Sequence, residues 1–320
     1  EHMFMAQDRL PAVQEMILAE DIETRKAALD KLLPFQRQDF YGILKEMSPL
    51  PVCIRLLDPP LHEFLPDHES LMLEIVEMKH NHAPVTEILE KQELLEKVHK
   101  LAEANPMLGH RGCRLGITYP EIYIMQVRAI FEAMILLKEQ GLGSLVEIEI
   151  PLVMDQAEFL ILKKDIMMVY EGIKQDKNIE LDFVLGTMLE LPRACMVADE
   201  IAQEAEFFSF GTNDLTQTTF GFSRDDAEGK FIPVYLEKKI IKDNPFAVLD
   251  RKGVGSLMKL AIEKARGVRP EIIMGICGEH GGEPSSIEFC HLLGLNYVSC
   301  SPYRIPIARL AAAQAAINNR

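Results

Sequence analysis

The sequence predicts an α/β protein, and within that class a (β/α)8 TIM barrel that lacks its first strand and carries helical insertions. Short runs rich in Val and Ile alternate with segments of helical periodicity, which is typical of a parallel sheet covered by helices. Seven such runs are strand candidates, and 320 residues suit a barrel. An open, doubly wound sheet is the alternative that the same pattern allows.

The pattern in the first part of the chain predicts mostly helices and few strands. Apolar residues at helical spacing run from Phe40 to Met47, and the run Pro51–Leu57 predicts a strand. Residues Thr86–Ala104 are charged and rich in leucine, which predicts an exposed helix. The short apolar piece Met107–Ile117 is counted with the strand candidates. A helix is predicted from Pro120 to about Gln140, before two glycines that can end it.

The rest of the chain alternates regularly between the two kinds of element. Asp155 and Glu158 resemble a capping box at the start of a helix. Strands are predicted at Leu145–Val153, Ile179–Met188, Glu206–Phe210, Ile272–Cys277 and Tyr297–Cys300, and further helices at Pro192–Ala205, Val254–Arg266 and Ser285–Leu293. Because one strand of eight is missing and the chain opens at Glu1, we expect residues 1–320 to be one barrel domain of a longer chain.

Composition limits the possible partners and compartments. A net charge of −15 repels nucleic acids and anionic membrane surfaces, so neither is expected as a partner. No signal peptide is recognisable, and six scattered cysteines without a C-x-x-C pair indicate a reducing compartment. We expect a cytoplasmic protein, with an organelle possible for the parent chain.

Polar residues follow the predicted strands where the apolar runs end, and the carboxyl ends of barrel strands meet at one mouth. Arg55 stands in an otherwise apolar strand, where a guanidinium requires a carboxylate or phosphate partner. Arg111 is a weaker candidate, because a salt bridge to nearby acidic loops explains it equally well. Arg224 is weaker still and partly structural.

Glu190 and Asp214 are the candidate metal ligands. They lie 24 residues apart, the length of one helix and one strand, and therefore belong to adjacent strand ends. Two carboxylates without a nearby His or Cys suit Mg²⁺ or Mn²⁺. A solvated acidic rim is the alternative.

Two glycine-containing turns are candidates for substrate contacts. The turn Gly211-Thr212-Asn213-Asp214 can aim backbone N–H groups at an anion, although an ordinary turn that caps the next helix explains it too. Cys277 ends a strand in a glycine-rich turn, where its thiol can act as a general acid. His280 beside it belongs either to a mobile lid or, more commonly, to a solvated loop.

These motifs carry a family resemblance. The segments Gly211-Thr-Asn-Asp-Leu-Thr-Gln, Gly275-Ile-Cys-Gly-Glu, Ser301-Pro-Tyr-Arg-Ile-Pro and Gly109-His-Arg-Gly-Cys-Arg resemble the C-terminal barrel of phosphoenolpyruvate-utilising enzymes. The segments Leu57-Asp-Pro-Pro-Leu-His-Glu-Phe and Phe220-Gly-Phe-Ser-Arg-Asp-Asp differ from those of the enzyme I and phosphoenolpyruvate synthase branches of this family. They resemble those of a dikinase branch.

The resemblance implies a site and a reaction. Arg55 and Arg111 would hold the phosphate and carboxylate of phosphoenolpyruvate or pyruvate, and Glu190 and Asp214 would hold Mg²⁺. Gly211, Thr212, Asn213 and Asp214 would contact the substrate, and Cys277 would protonate the enolate carbon. A histidine on a separate swivelling domain of the parent chain would exchange the phosphoryl group, and a homodimer is expected.

Other functions stay open at this stage. A phosphoenolpyruvate synthase or enzyme I type barrel would use the same acids and arginines. A Mg²⁺-dependent lyase or aldolase for 2-oxo acids would share them without needing Cys277, and a fragment kept for dimerisation would need no metal.

Overall fold

The computed structural model describes residues 1–143 and 145–319. The chain divides into two compact units. Unit 1 comprises Glu1–Val52, Leu56–Leu145 and Asp165–Asp182, and unit 2 comprises Cys53–Arg55, Val146–Lys164 and Phe183–Arg320.

Unit 1 is helical. Its helices are α1 (Leu10–Leu18), α2 (Ile22–Met47), α3 (His68–His80), α4 (Val85–Leu101), α5 (Cys113–Thr118), α6 (Pro120–Glu139) and the second part of α7 (Gln156–Lys177). The helix predicted at Phe40–Met47 is the last part of α2. Those predicted at Thr86–Ala104 and from Pro120 to about Gln140 are confirmed as α4, which ends at Leu101, and α6.

The core of unit 1 forms where α2 packs on α6. The side chain of Asp21 begins α2 by accepting the N–H of Thr24 at 2.8 Å. Buried between these helices, the Arg25 guanidinium donates to Glu121 at 2.8 Å, so neither charge is buried alone.

Unit 2 contains the sheet. Its strands are β1 (Val52–Arg55), β2 (Val146–Ile150), β3 (Phe183–Leu189), β4 (Phe207–Gly211), β5 (Ile273–Cys277) and β6 (Tyr297–Val298), in sequence order across the sheet. Each neighbouring pair from β2 to β6 is parallel. Parallel neighbours require crossover connections, which the intervening helices supply.

The helices of unit 2 follow its strands. After the first part of α7 come α8 (Pro192–Met196), α9 (Ala198–Ala202), α10 (Thr212–Phe220), α11 (Arg224–Lys230), α12 (Ile232–Glu237), α13 (Val254–Val268), α14 (Pro284–Leu292) and α15 (Ile305–Asn318). The two acids predicted to cap the start of α7 do bind backbone N–H groups there. Asp155 accepts the N–H of Ala157, and Glu158 accepts the N–H of Met154, one residue before Asp155.

Strand register sets which side chains share the face that carries the site. Met188 lies opposite Ser209, Ser209 opposite Gly275, and Gly275 opposite Tyr297. The Tyr297 ring lies over Gly275, where any Cβ would overlap it. A glycine is therefore required under this ring.

The α/β class and the parallel sheet are confirmed, but parts of the strand prediction are wrong. Met107–Ile117 is not a strand: a 3₁₀ turn at Pro106–Leu108 and helix α5 occupy it, because glycines and Arg111 interrupt its apolar run. Pro192–Ala205 forms two short helices rather than one. The described residues thus form six strands, and closure into an eight-strand barrel stays a prediction.

Within residues 1–143 and 145–319, every helix is too short or too polar to cross a membrane.

Candidate functional site

A cavity of about 360 Å³ opens where the strands of unit 2 end. Its wall consists of residues from all six strands and the turns that follow them: Cys53, Arg55, Glu149, Met188, Glu190, Ser209, Gly211, Thr212, Asn213, Asp214, Cys277, Gly278, Tyr297 and Ser299. Seven of the eight site residues predicted from the sequence are among them.

Glu190 follows β3 and is almost completely buried, with 1% of its surface exposed. Its Oε1 atom accepts the backbone N–H of Leu152 at 2.6 Å. Leu152 has a φ of 64°, a left-handed conformation that costs a non-glycine residue about 1 kcal/mol or more. The chain after β2 is thus held in an uncommon conformation that directs an N–H at this carboxylate.

Asn213 and Asp214 lie in the first turn of α10. Helix α10 begins directly after β4, so the predicted loop around Gly211 is a strand-to-helix junction instead. The Asn213 Oδ1 atom is buried, and within the described residues no hydrogen-bond donor reaches it. A buried amide oxygen in this state can bind a cation or accept a hydrogen bond.

Gly211 allows Glu190 to approach the junction. A Cβ at Gly211 would lie 2.6 Å from Glu190 Oε2 and 2.6 Å from the sulfur of Met188. Only glycine fits this position without moving the carboxylate.

Thr212 is completely buried, and its hydroxyl is bound on the protein side of the cavity wall. Its Oγ1 atom lies 2.7 Å from His280 Nδ1, and His280 Nε2 lies 2.9 Å from the carbonyl oxygen of Pro245. This pattern fits a neutral imidazole that donates from Nε2 and accepts the threonine hydroxyl at Nδ1. Burial lowers the pKa of His280.

The prediction that His280 is a solvated loop residue is wrong, since none of its surface is exposed. The glycines around it let the turn after β5 fold inward, and this could not be read from the polarity of the segment. His280 anchors the start of α10 to that turn.

Cys277 ends β5, opposite Gly211. Its thiol donates to the carbonyl oxygen of Phe210, with sulfur and oxygen 3.5 Å apart. Burial, with the nearby charges of Glu149 and Glu190, raises the pKa of Cys277 to about 12, although Arg55 acts in the opposite direction. The group is a thiol, not a thiolate, at neutral pH.

The three predicted arginines differ in position. Arg55 lines the cavity at the end of β1. Arg111 belongs to unit 1, where it is buried against Asp58 with Nε 3.1 Å from Oδ1. Arg224 contacts both oxygens of Glu279 at 2.7 and 2.8 Å, and it is not part of the cavity wall.

Glu149 is a charged member of the cavity wall that the sequence analysis missed. It is 3% exposed on β2, and Cys53, Ser209, Tyr297 and Ser299 were missed with it. The segment Val146-Glu-Ile-Glu-Ile carried the signal, because acids at alternate positions of a buried strand face one side together. Arg55 was recognised on β1 by a different criterion, a single charge in an otherwise apolar strand.

The cavity offers oxygen donors for a cation. Glu190, Asp214 and Asn213 all line it. In the part of the chain that the structure describes, no three His, Cys, Asp and Glu side chains are grouped to hold a metal by themselves. Two carboxylates and an amide oxygen nevertheless fit Mg²⁺, which keeps several water or substrate oxygens in its shell.

Comparison with known proteins assigns the class. A family model described as PEP-utilising enzyme, PEP-binding domain, matches residues 1–317. The chain therefore belongs to the family of PEP-binding domains of PEP-utilising enzymes, and the resemblance seen in its motifs is confirmed.

Similar proteins include several pyruvate, phosphate dikinases. The enzyme of Entamoeba histolytica is 56% identical over 320 residues, which cover 100% of this chain and 36% of that protein. The enzyme of Clostridium symbiosum is 53% identical over 100% of this chain and 36% of its own length. Pyruvate, phosphate dikinase 1 of Arabidopsis thaliana, a chloroplastic enzyme, is 55% identical over 99% of this chain and 32% of its own length. The chain thus spans about a third of the length of these relatives.

Proposed function

We propose that the cavity binds phosphoenolpyruvate or pyruvate together with Mg²⁺, as part of a pyruvate, phosphate dikinase type reaction. The observation that carries the proposal is the placement of Arg55, Glu190, Asn213, Asp214 and Cys277 around one cavity in a chain of this family. An anion-binding group, three oxygen donors and a thiol are the groups that this chemistry needs.

Glu190, Asp214 and Asn213 would hold the metal. The carboxylates supply negative charge, and Asn213 supplies a buried amide oxygen to which no hydrogen-bond donor of the described residues is bound. When bound, Mg²⁺ stabilises negative charge on the enolate oxygen by several kcal/mol. The N–H of Leu152 holds Glu190 in place before any ligand arrives.

Arg55 would bind the anion. A guanidinium can donate two parallel hydrogen bonds to a carboxylate or phosphate, which fixes the orientation of the substrate as well as its position. Gly211, Thr212 and Asn213 would contact the substrate from the junction between β4 and α10. Arg111 stays a predicted second substrate arginine.

Cys277 would exchange a proton with the substrate carbon. In the direction of pyruvate formation, the thiol donates its proton to the methylene carbon of the enolate, and the reverse step returns it. A thiol held in its protonated form can act as this acid, because the enolate carbon is a much stronger base than the thiolate.

The proposed reaction also needs a group outside this chain that accepts the phosphoryl group. Since the chain spans about a third of its relatives, the phosphoryl group would pass to a histidine on another domain of the parent chain. The chloroplastic relative supports an organellar location for some members. A homodimer and a cytoplasmic location stay predictions.

Calorimetry with the full-length protein tests the proposal. Phosphoenolpyruvate is titrated with Mg²⁺ present and again with a chelator in its place. We expect binding only with Mg²⁺. Equal affinity in both titrations would contradict the metal part, and no binding in either would contradict the substrate.

A further inference from the structure

Glu149 is a buried carboxylate in a cavity proposed to bind anions, and the proposed reaction gives it no role. Its side chain lines the cavity and is 3% exposed. A carboxylate at this depth is costly unless a positive group or several donors stabilise it. Arg55 carries a positive charge and lines the same cavity, so the position of Glu149 relative to Arg55 is important.

The strand pairing brings Glu149 and Arg55 together. Strands β1 and β2 are neighbours, and the N–H of Val52 donates to the carbonyl oxygen of Leu145 at 3.0 Å. Val52 begins β1 and Leu145 directly precedes β2, so the two strands run in the same direction. In a parallel pair, a residue whose N–H donates to the carbonyl oxygen of one residue lies opposite the next residue, so Val52 lies opposite Val146. Three residues further along both strands, Arg55 lies opposite Glu149.

The alternation of side chains gives both residues the same face. Both line the cavity, and side chains directly opposite each other on neighbouring strands have Cβ atoms about 5 Å apart. A glutamate and an arginine at that separation can form a charge-assisted pair.

Two thiols provide an independent indication of proximity. Burial is the main cause that raises the pKa of both Cys53 and Cys277, and the charge of Glu149 raises it further. The charge of Arg55 acts in the opposite direction on both thiols. Glu149 and Arg55 thus lie near the same two side chains, which face one cavity from β1 and β5.

We propose that Glu149 is a positioning residue that holds the Arg55 guanidinium in the orientation that receives the substrate anion. A guanidinium has five N–H donors in a rigid plane, so one edge can bind Glu149 while another faces the cavity. The inference rests on the proposed function, because it assigns the substrate anion to Arg55.

A double-mutant cycle in the full-length protein tests the proposal. Affinity for phosphoenolpyruvate with Mg²⁺ is measured for the parent, Glu149→Ala, Arg55→Ala and the double variant. We expect Glu149→Ala to weaken binding about tenfold in the parent and less than about twofold when Arg55 is absent. Equal losses in both backgrounds, or tighter binding by Glu149→Ala, would overturn the proposal.

Two further variants separate positioning from stability. Glu149→Gln keeps an oxygen acceptor at nearly the same volume, so it should retain more affinity than Glu149→Ala. Glu147→Gln is the matched control: Glu147 is on the same strand and face but does not line the cavity, and its substitution should leave affinity unchanged. A loss as large as that of Glu149→Ala would contradict the assignment.

A measurement without substrate distinguishes this inference from the proposed function. Phenylglyoxal modifies arginine side chains, and mass spectrometry locates the product. Glu149→Ala should speed modification of Arg55 but not of Arg224, which has its own carboxylate partner. An unchanged rate at Arg55 would reject the pair, whereas absent phosphoenolpyruvate binding by the parent would reject only the proposed function.

Discussion

Glu190 Oε1 accepts the backbone N–H of Leu152 at 2.6 Å, so the carboxylate that follows β3 is fixed by the chain that follows β2. The neighbouring strands β2 and β3 thereby determine together where a proposed metal ligand lies. The left-handed φ of Leu152 is part of this arrangement, since it directs the N–H.

Glu190→Gln should abolish Mg²⁺-dependent binding of phosphoenolpyruvate and leave the fold intact. The amide keeps the size of the side chain and can still accept the N–H of Leu152 through its oxygen, but it loses the charge that a hard cation prefers. Asp214→Asn should act in the same way. Calorimetry and circular dichroism measure the two effects, and unchanged affinity in both variants would remove these residues from the metal site.

Gly211→Ala should weaken metal and substrate binding because the new methyl group would lie 2.6 Å from Glu190 Oε2. Displacing a fixed carboxylate and Met188 should also lower the free energy of unfolding by about 1–3 kcal/mol. Gly229→Ala is the matched control, since no atom lies within 4 Å of its added Cβ. Equal binding and urea stability of the two variants would contradict the close approach.

Arg55→Ala should weaken binding of phosphoenolpyruvate by about 2 kcal/mol or more, through loss of charge-assisted hydrogen bonds. Arg224→Ala should leave affinity unchanged, because Glu279 and Glu228 bind that guanidinium outside the cavity wall. Affinity of Arg55→Ala within error of the parent would show that Arg55 has only a structural role.

Much of the fold follows from periodicity in the sequence. The long helices α4 and α6 and the last part of α2 were predicted, as were strands β2 to β5, because their apolar patterns are long or strongly β-branched. Met107–Ile117 misled the strand count, since a short apolar run with glycines fits strand and helix equally well. The division into two units could not be predicted, because it depends on contacts between segments far apart in sequence.

The candidate site was predictable where a polar residue ends an apolar strand or follows it closely. Arg55, Glu190, Asp214 and Cys277 all satisfy that description and line the cavity. Glu149 also lines the cavity, but it lies within β2 rather than at its end, so this criterion did not indicate it. The bond between Thr212 and His280 depends on tertiary structure, so no local pattern could reveal it.

The stability of the protein should depend on pH through His280. Burial lowers its pKa below the ordinary value of 6.5, so the folded state resists protonation that the unfolded chain accepts. The contribution of neutral His280 is complete above pH 6.5 and declines as the pH falls from there through the lowered pKa. Urea unfolding across this range should show a flatter profile for His280→Gln. Parallel profiles for the parent and the variant would contradict a buried neutral imidazole.

Proton exchange in the methyl group of pyruvate tests directly the proposal that this cavity interconverts phosphoenolpyruvate and pyruvate with Cys277 as the acid. Cys277→Ala removes the thiol but leaves the oxygen donors and Arg55 that would bind substrate. In the full-length protein, NMR in deuterated water should show Mg²⁺-dependent methyl exchange for the parent. The Cys277→Ala variant should lose most of this exchange while it still transfers the phosphoryl group from phosphoenolpyruvate. Cys277→Ser should restore little, because a hydroxyl is a far weaker acid than a thiol. Exchange by the alanine variant at the parental rate would show that another group, not Cys277, donates the proton.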